Sequence, residues 1–179
     1  TEFIEDGRTI DLVSIALCAA DGRNYYAQSA EADYSRANPW VRANVLPRLD
    51  SCPRGSFPGL SGAAIQHGPA RCGDPGCPWR SRREIAEEIL EFVGDEEPEF
   101  WSYFAAYDWV VLCQLFGAMA DLPAGWPRYC RDLAQWSDAL DIALAGPPAS
   151  AEHHALADAR WLRETWGDVK VLARSRRRA

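Results

Sequence analysis

A mixed α/β domain is predicted by three features of the chain. Residues 10–19 form a β-branched, almost continuously apolar run, the pattern of a strand covered on both faces of a sheet. Asp21-Gly22 follows with turn chemistry and leads into residues 24–28, so a hairpin of two antiparallel strands is expected. Downstream, apolar residues recur at helical rather than alternating spacing, which sets helices against that sheet.

The remaining elements follow in order. Ile85, Ile89 and Phe92 recur at spacings of four and three and predict a helix over 81–93. The aromatic stretch 99–107 predicts a third strand ending at Asp108, and 108–119 a helix after it. Two more helices are expected over 132–144 and 153–166, separated by Pro147-Pro148, which no helix crosses. Residues 50–79 are punctuated throughout by Gly and Pro and read as an irregular insertion.

The chain has 179 residues, 47% of them hydrophobic and 25% charged, which is enough for one buried core and argues against disorder or a fibre. A single domain over 1–179 is expected. The net charge of −7 leaves no broad basic surface, so any polyanion has to meet a local patch or a metal. No apolar run reaches the roughly 18 residues of a membrane span and no export signal opens the chain, so no membrane partner and a cytoplasmic location are expected.

Six cysteines are present, and without an export signal they are expected to be reduced. Cys18 and Cys113 stand in apolar stretches and read as small buried hydrophobes. Cys52, His67, Cys72 and Cys77 share the insertion and invite a zinc reading, but metal knuckles usually separate two cysteines by two residues and Cys72 and Cys77 enclose four. Dispersed loop thiols are the default.

Open α/β sheets place ligands at strand ends, and there the chain offers three carboxylates, Glu2, Asp108 and Asp158. Each has a plainer reading: a solvated terminal residue, a helix cap, a wet helical face. Asp158 lies among Leu156, Ala159 and Leu162, where an ionised carboxylate is unfavourable unless a cation or hydrogen bond meets it. Clustered carboxylates are hard oxygen ligands, suited to Mg²⁺ or Mn²⁺.

These residues carry a resemblance. Thr1-Glu2-Phe3 resembles the tail of an Asp-x-Glu-Phe motif, Tyr107-Asp108 a second motif, and His153 with Asp158 five residues later a third. In that order they are similar to the DEDDh 3′-5′ exonucleases of the ribonuclease-H-like superfamily, which includes ribonuclease T and oligoribonuclease. Residues 1–7, 106–108, 112–115 and 79–82 look most like the small actinobacterial 3′-5′ exoribonucleases.

The resemblance implies a ribonuclease-H-like mixed sheet flanked by helices and two-metal hydrolysis at RNA 3′ ends that releases nucleoside monophosphates. Glu2, Asp108 and Asp158 would hold two Mg²⁺ or Mn²⁺ ions, and His153, rather than His154, would take a proton from the attacking water, a role for imidazole. Phe3 and Ile4 would line the nucleotide pocket, and a homodimer is implied. The family's first metal-bridging Asp would stand directly before Thr1, so a truncated first strand is expected; the alternative is a catalytically impaired nucleotide- or RNA-binding domain. Arg71, Arg80, Arg82 and Arg83 and the basic tail 174–178 are candidate phosphate contacts further along the strand.

Overall fold

The computed structural model describes residues 1–52, 74, 76–95, 97–149 and 152–176. Strand β1 (Glu2–Glu5) pairs antiparallel with β2 (Ile10–Cys18), which pairs antiparallel with β3 (Asn24–Ser29). A short β4 (Trp79–Arg80) adds parallel to β3, giving a mixed sheet in the order β1-β2-β3-β4. The β2–β3 hairpin turns as expected through Asp21 and Gly22, where Gly22 takes a positive φ of 98° that a side chain would strain. Register at its mouth pairs Cys18 with Asn24.

Helix α1 (Pro39–Asn44) is capped by Asn38, whose side chain accepts from the Val41 N–H. Helix α2 (Arg82–Val93) is the predicted one, opened by a capping box between Ser81 and Glu84. A second, two-stranded pairing joins β5 (Trp101–Ser102) and β6 (Arg131–Asp132) in parallel. Helices α3 (Ala105–Gln114), α4 (Leu133–Ala139) and α5 (Ala155–Arg176) complete the described elements.

Sheet β1–β4 is packed on both faces, as the apolar run predicts. On one side Val13 joins Ile4, Val41, Val45 and Trp79; on the other Leu12 and Ile15 join Ile85, Ile89, Val111 and Leu112. Burying these side chains contributes about 1.5–3 kcal/mol each for the larger ones. Helix α5 lies across β2 and β3 and so closes the sheet over the loops that carry the site.

Several expectations are corrected. The strand over 99–107 shrinks to Trp101–Ser102, because Phe104 adopts a left-handed conformation (φ 58°) that turns the chain into α3. Packing overrides the aromatic strand propensity there: Phe100 meets Trp109 and Trp126, and Trp101 meets Trp136. Asp108 therefore sits in the first turn of α3 and not at a strand tip. Helix α3 both starts and ends earlier than 108–119. The helix expected over 132–144 is shorter, capped by Asp132 and ended before Asp141, which has a positive φ of 53°.

The helix expected over 153–166 begins at Ala155 and runs to Arg176, so Arg174 and Arg176 of the supposed tail are helical. Residues ahead of Ile10 form a strand, β1, which carries Glu2 and Phe3. Cys113 is buried as expected, whereas Cys18 is only half-buried, its thiol donating to Asn24 Oδ1 at 2.9 Å. The end of the insertion forms β4. Arg71, His67 and Cys72 lie outside the described residues.

Candidate active site

A cleft of about 610 Å³ opens between β1, the β5–α3 turn and the start of α5. Glu2 and Phe3 reach it from β1, Asp108 from the first turn of α3, and His153 and Asp158 from the entry and first turn of α5. Three segments more than forty residues apart thus bring these five side chains to one wall-to-wall space. Ile4, alternating to the opposite face of β1, is 2% exposed in the core and does not line the cleft, which corrects its assignment as a pocket residue.

The carboxylates are not in ordinary carboxylate environments. Burial pushes Glu2 up to about 7, and the nearby Asp158 and Asp108 charges add to it. Asp158 is raised as well, by burial first, with His153 pulling the other way. Burial also pushes Asp108 upward, while hydrogen bonds to its carboxylate draw it down. The Thr1 hydroxyl donates to Asp108 Oδ1 at 2.5 Å, and the Ser102 hydroxyl donates to Oδ2.

Asp158 Oδ1 is buried and has no hydrogen-bond partner. An orphaned acceptor beside two more acids is unfavourable and is relieved by a cation. The donor chemistry, three hard-oxygen carboxyls, fits a divalent Mg²⁺-type ion. Among the described residues no three His, Cys, Asp or Glu side chains already close round a single point, so the fit is one of chemistry and of shared cleft.

His153 precedes α5 in a left-handed conformation (φ 67°), and its ring stands edge-to-face with Trp40, 4.8 Å between centroids. His154 points elsewhere: its ring stacks on Tyr26 at 4.9 Å and its Nε2 lies 3.8 Å from Asp50. Only His153 of the two lines the cleft. Phe3 stacks on Tyr107 at 5.3 Å. Trp40 and Ser102 line the cleft and were not foreseen as site residues; nothing in their local sequence marks contacts made across the whole chain.

The family model described as the 3′-5′ exoribonuclease Rv2179c-like domain matches residues 65–169, which include Asp108, His153 and Asp158. The chain belongs to this family. The 3′-5′ exoribonuclease Rv2179c of Mycobacterium tuberculosis (strain ATCC 25618 / H37Rv) is 43% identical to it over 164 residues, 89% of this chain and 84% of the relative. The 3′-5′ exoribonuclease MT2234.1 of Mycobacterium tuberculosis (strain CDC 1551 / Oshkosh) gives the same figures.

Among the described residues, three of the basic side chains expected to hold phosphates are paired within the fold. Arg80 pairs with Glu88 at 2.7 Å, Arg82 with Asp11, and Arg83 with Glu87 one helical turn on. Among the described residues no helix is long and apolar enough to cross a membrane.

Proposed function

We propose that this chain is a metal-dependent 3′-5′ exoribonuclease that hydrolyses phosphodiester bonds at RNA 3′ ends and releases nucleoside monophosphates. The observation that carries the reading is that Glu2, Asp108, Asp158 and His153 share one cleft. The names of the two relatives and the matched domain support it. In this reading the domain is a DEDDh member with a ribonuclease-H-like sheet, works as a homodimer, and takes two Mg²⁺ or Mn²⁺ ions. When bound, such ions supply charge stabilisation for the attacking and departing oxygens.

The protein's own groups do the rest. Glu2, Asp108 and Asp158 hold the ions through carboxylate oxygens, and an Asp directly ahead of Thr1 is the further ligand the resemblance implies. His153 Nδ1 or Nε2 accepts the proton of the attacking water; Trp40 limits where that ring can lie. Phe3, backed by Tyr107, offers a face on which any terminal base can stack. Trp101 and Leu112 are among the apolar walls of the cleft.

Incubation with Mn²⁺ and body-labelled single-stranded RNA tests this, using the chain as it stands and with an Asp-ending strand fused ahead of Thr1. Mononucleotide release that stops on Asp108→Ala supports the proposal. Metal-independent binding of AMP with no hydrolysis by either form would replace it with the catalytically impaired binding domain.

A further inference from the structure

A second groove, of about 450 Å³, runs between the β2–β3 turn, residues 97–101 and helix α5. It shares a wall with the carboxylate cleft: Ala16, Leu17, Phe100, Trp101, Ala159 and Leu162 line both. Helix α5 therefore leads from one space into the other. Asp158 stands at its cleft end, and Arg163, Trp166 and Lys170 follow at spacings of three and four, which place all three on the helix face that lines the groove. A rise of about 1.5 Å per residue puts Arg163 about 7.5 Å and Lys170 about 18 Å along the axis from Asp158.

Most charges of this groove are already matched within the fold. Arg23 donates from Nε to Asp21 at 2.8 Å and from Nη1 to the Phe92 carbonyl at 2.7 Å. Glu99 pairs with Arg131 at 3.0 Å and accepts from the Trp101 indole N–H at 2.6 Å. Arg163 differs. Among the described residues the one acid near it is Glu164, at 3.9 Å, beyond hydrogen-bond reach, and its Nη1 lies over the hairpin turn, 3.7 Å from the place a Cβ on Gly22 would take. Lys170 forms no ion pair among the described residues, and its ammonium sits 4.1 Å from the centroid of the Trp166 ring, which fixes it at the groove. Glu97 is the acid that faces these two cations across the groove's lining, so the groove is locally positive on a chain of net charge −7. A polyanion meeting such a chain needs a patch of this kind.

Resting on the exoribonuclease reading of the cleft, we propose that this groove holds the RNA strand on the 5′ side of the scissile bond, with Arg163 and Lys170 on upstream phosphates. The shared wall of Ala16, Leu17 and Leu162 gives the sugars and bases an apolar floor that continues from the cleft. Phosphate contacts position a strand without reading its bases. They act on longer RNA and not on a dinucleotide, whose single phosphodiester lies in the cleft.

Hydrolysis of the dinucleotide ApA and of a decaadenylate in Mn²⁺, by both forms of the chain used above, tests this. In Arg163→Ala/Lys170→Ala the KM for the decamer is expected to rise about 5- to 30-fold with kcat kept, the effect of losing two partly exposed ion pairs, while both constants for ApA stay unchanged. Anisotropy of a labelled decamer in Ca²⁺ is expected to show the log–log salt slope of binding falling by about 0.7 for each cation removed. Arg163→Lys/Lys170→Arg is expected to retain that slope, and Arg8→Ala, which removes an exposed charge from the β1–β2 turn, to change neither substrate. Cleavage with a decamer KM unmoved in the double alanine variant, or an equal rise for ApA, overturns this proposal and leaves the nuclease reading standing; a changed oligomeric state in sedimentation would then assign the groove to a second copy of the chain. No cleavage of either substrate by the wild-type chain in either form overturns both.

Discussion

The rings of Phe3 and Tyr107 stack with centroids 5.3 Å apart and planes inclined by only 10°, so that a helix residue 104 positions away backs the strand residue whose side chain lines the cleft. Base stacking on an aromatic ring contributes about 1–3 kcal/mol. Phe3→Ala is therefore expected to weaken AMP binding or raise KM for short RNA by about 5- to 150-fold, whatever the base. A loss confined to one base, measured with four homopolymers, would contradict a stacking role.

Removing the imidazole of His153 takes away a proton acceptor and leaves the carboxylates intact. His153→Ala is expected to lower kcat by about 10²- to 10⁴-fold with little change in metal affinity. His154→Ala removes the ring on Tyr26 and is expected to act on stability more than on turnover. Reversal of that order in single-turnover assays would reassign the base.

Glu2, raised by burial to about 7, binds a proton more tightly in the folded chain than unfolded. Its contribution to stability is fully present below the unfolded value of 4.5 and is lost as pH rises through about 7. In metal-free protein Glu2→Gln is expected to stabilise by about 1–3 kcal/mol at pH 8 and to be neutral at pH 4. Thermal unfolding at the two pH values decides it, and equal effects at both would contradict the assigned cause.

If the buried acids are metal ligands, a divalent ion removes the penalty that Asp158 carries in its absence. Mn²⁺ at a hundred times its Kd is expected to stabilise the wild-type chain by about 2.7 kcal/mol at pH 8. Asp158→Asn is expected to abolish most of that gain and, without metal at pH 8, to unfold at a higher temperature than wild type because the buried charge is gone. Full retention of the Mn²⁺ effect in this variant would remove Asp158 from the ligand set.

The core offers a control unrelated to chemistry. Ile89 is fully buried between the sheet and α2, so Ile89→Ala is expected to cost about 2–5 kcal/mol in urea unfolding. Loss of the capping box in Ser81→Ala is expected to cost about 0.5–2 kcal/mol.

What the sequence determined by itself was local or periodic. The strand at 10–18, the Asp21-Gly22 hairpin and the Ser81-capped helix are each written in a few neighbouring residues, because turn dihedrals, capping and amphipathic spacing act over short range. The ordered acids and His153 were legible too, as a motif set. Tertiary structure alone decided that Ile4 faces the core and Phe3 the cleft, that Phe104 breaks the aromatic run so that Asp108 opens a helix, and that Cys52 meets Cys77. Those outcomes depend on burial and on contacts between distant segments. There, packing energies of several kcal/mol exceed intrinsic propensities that differ by about one.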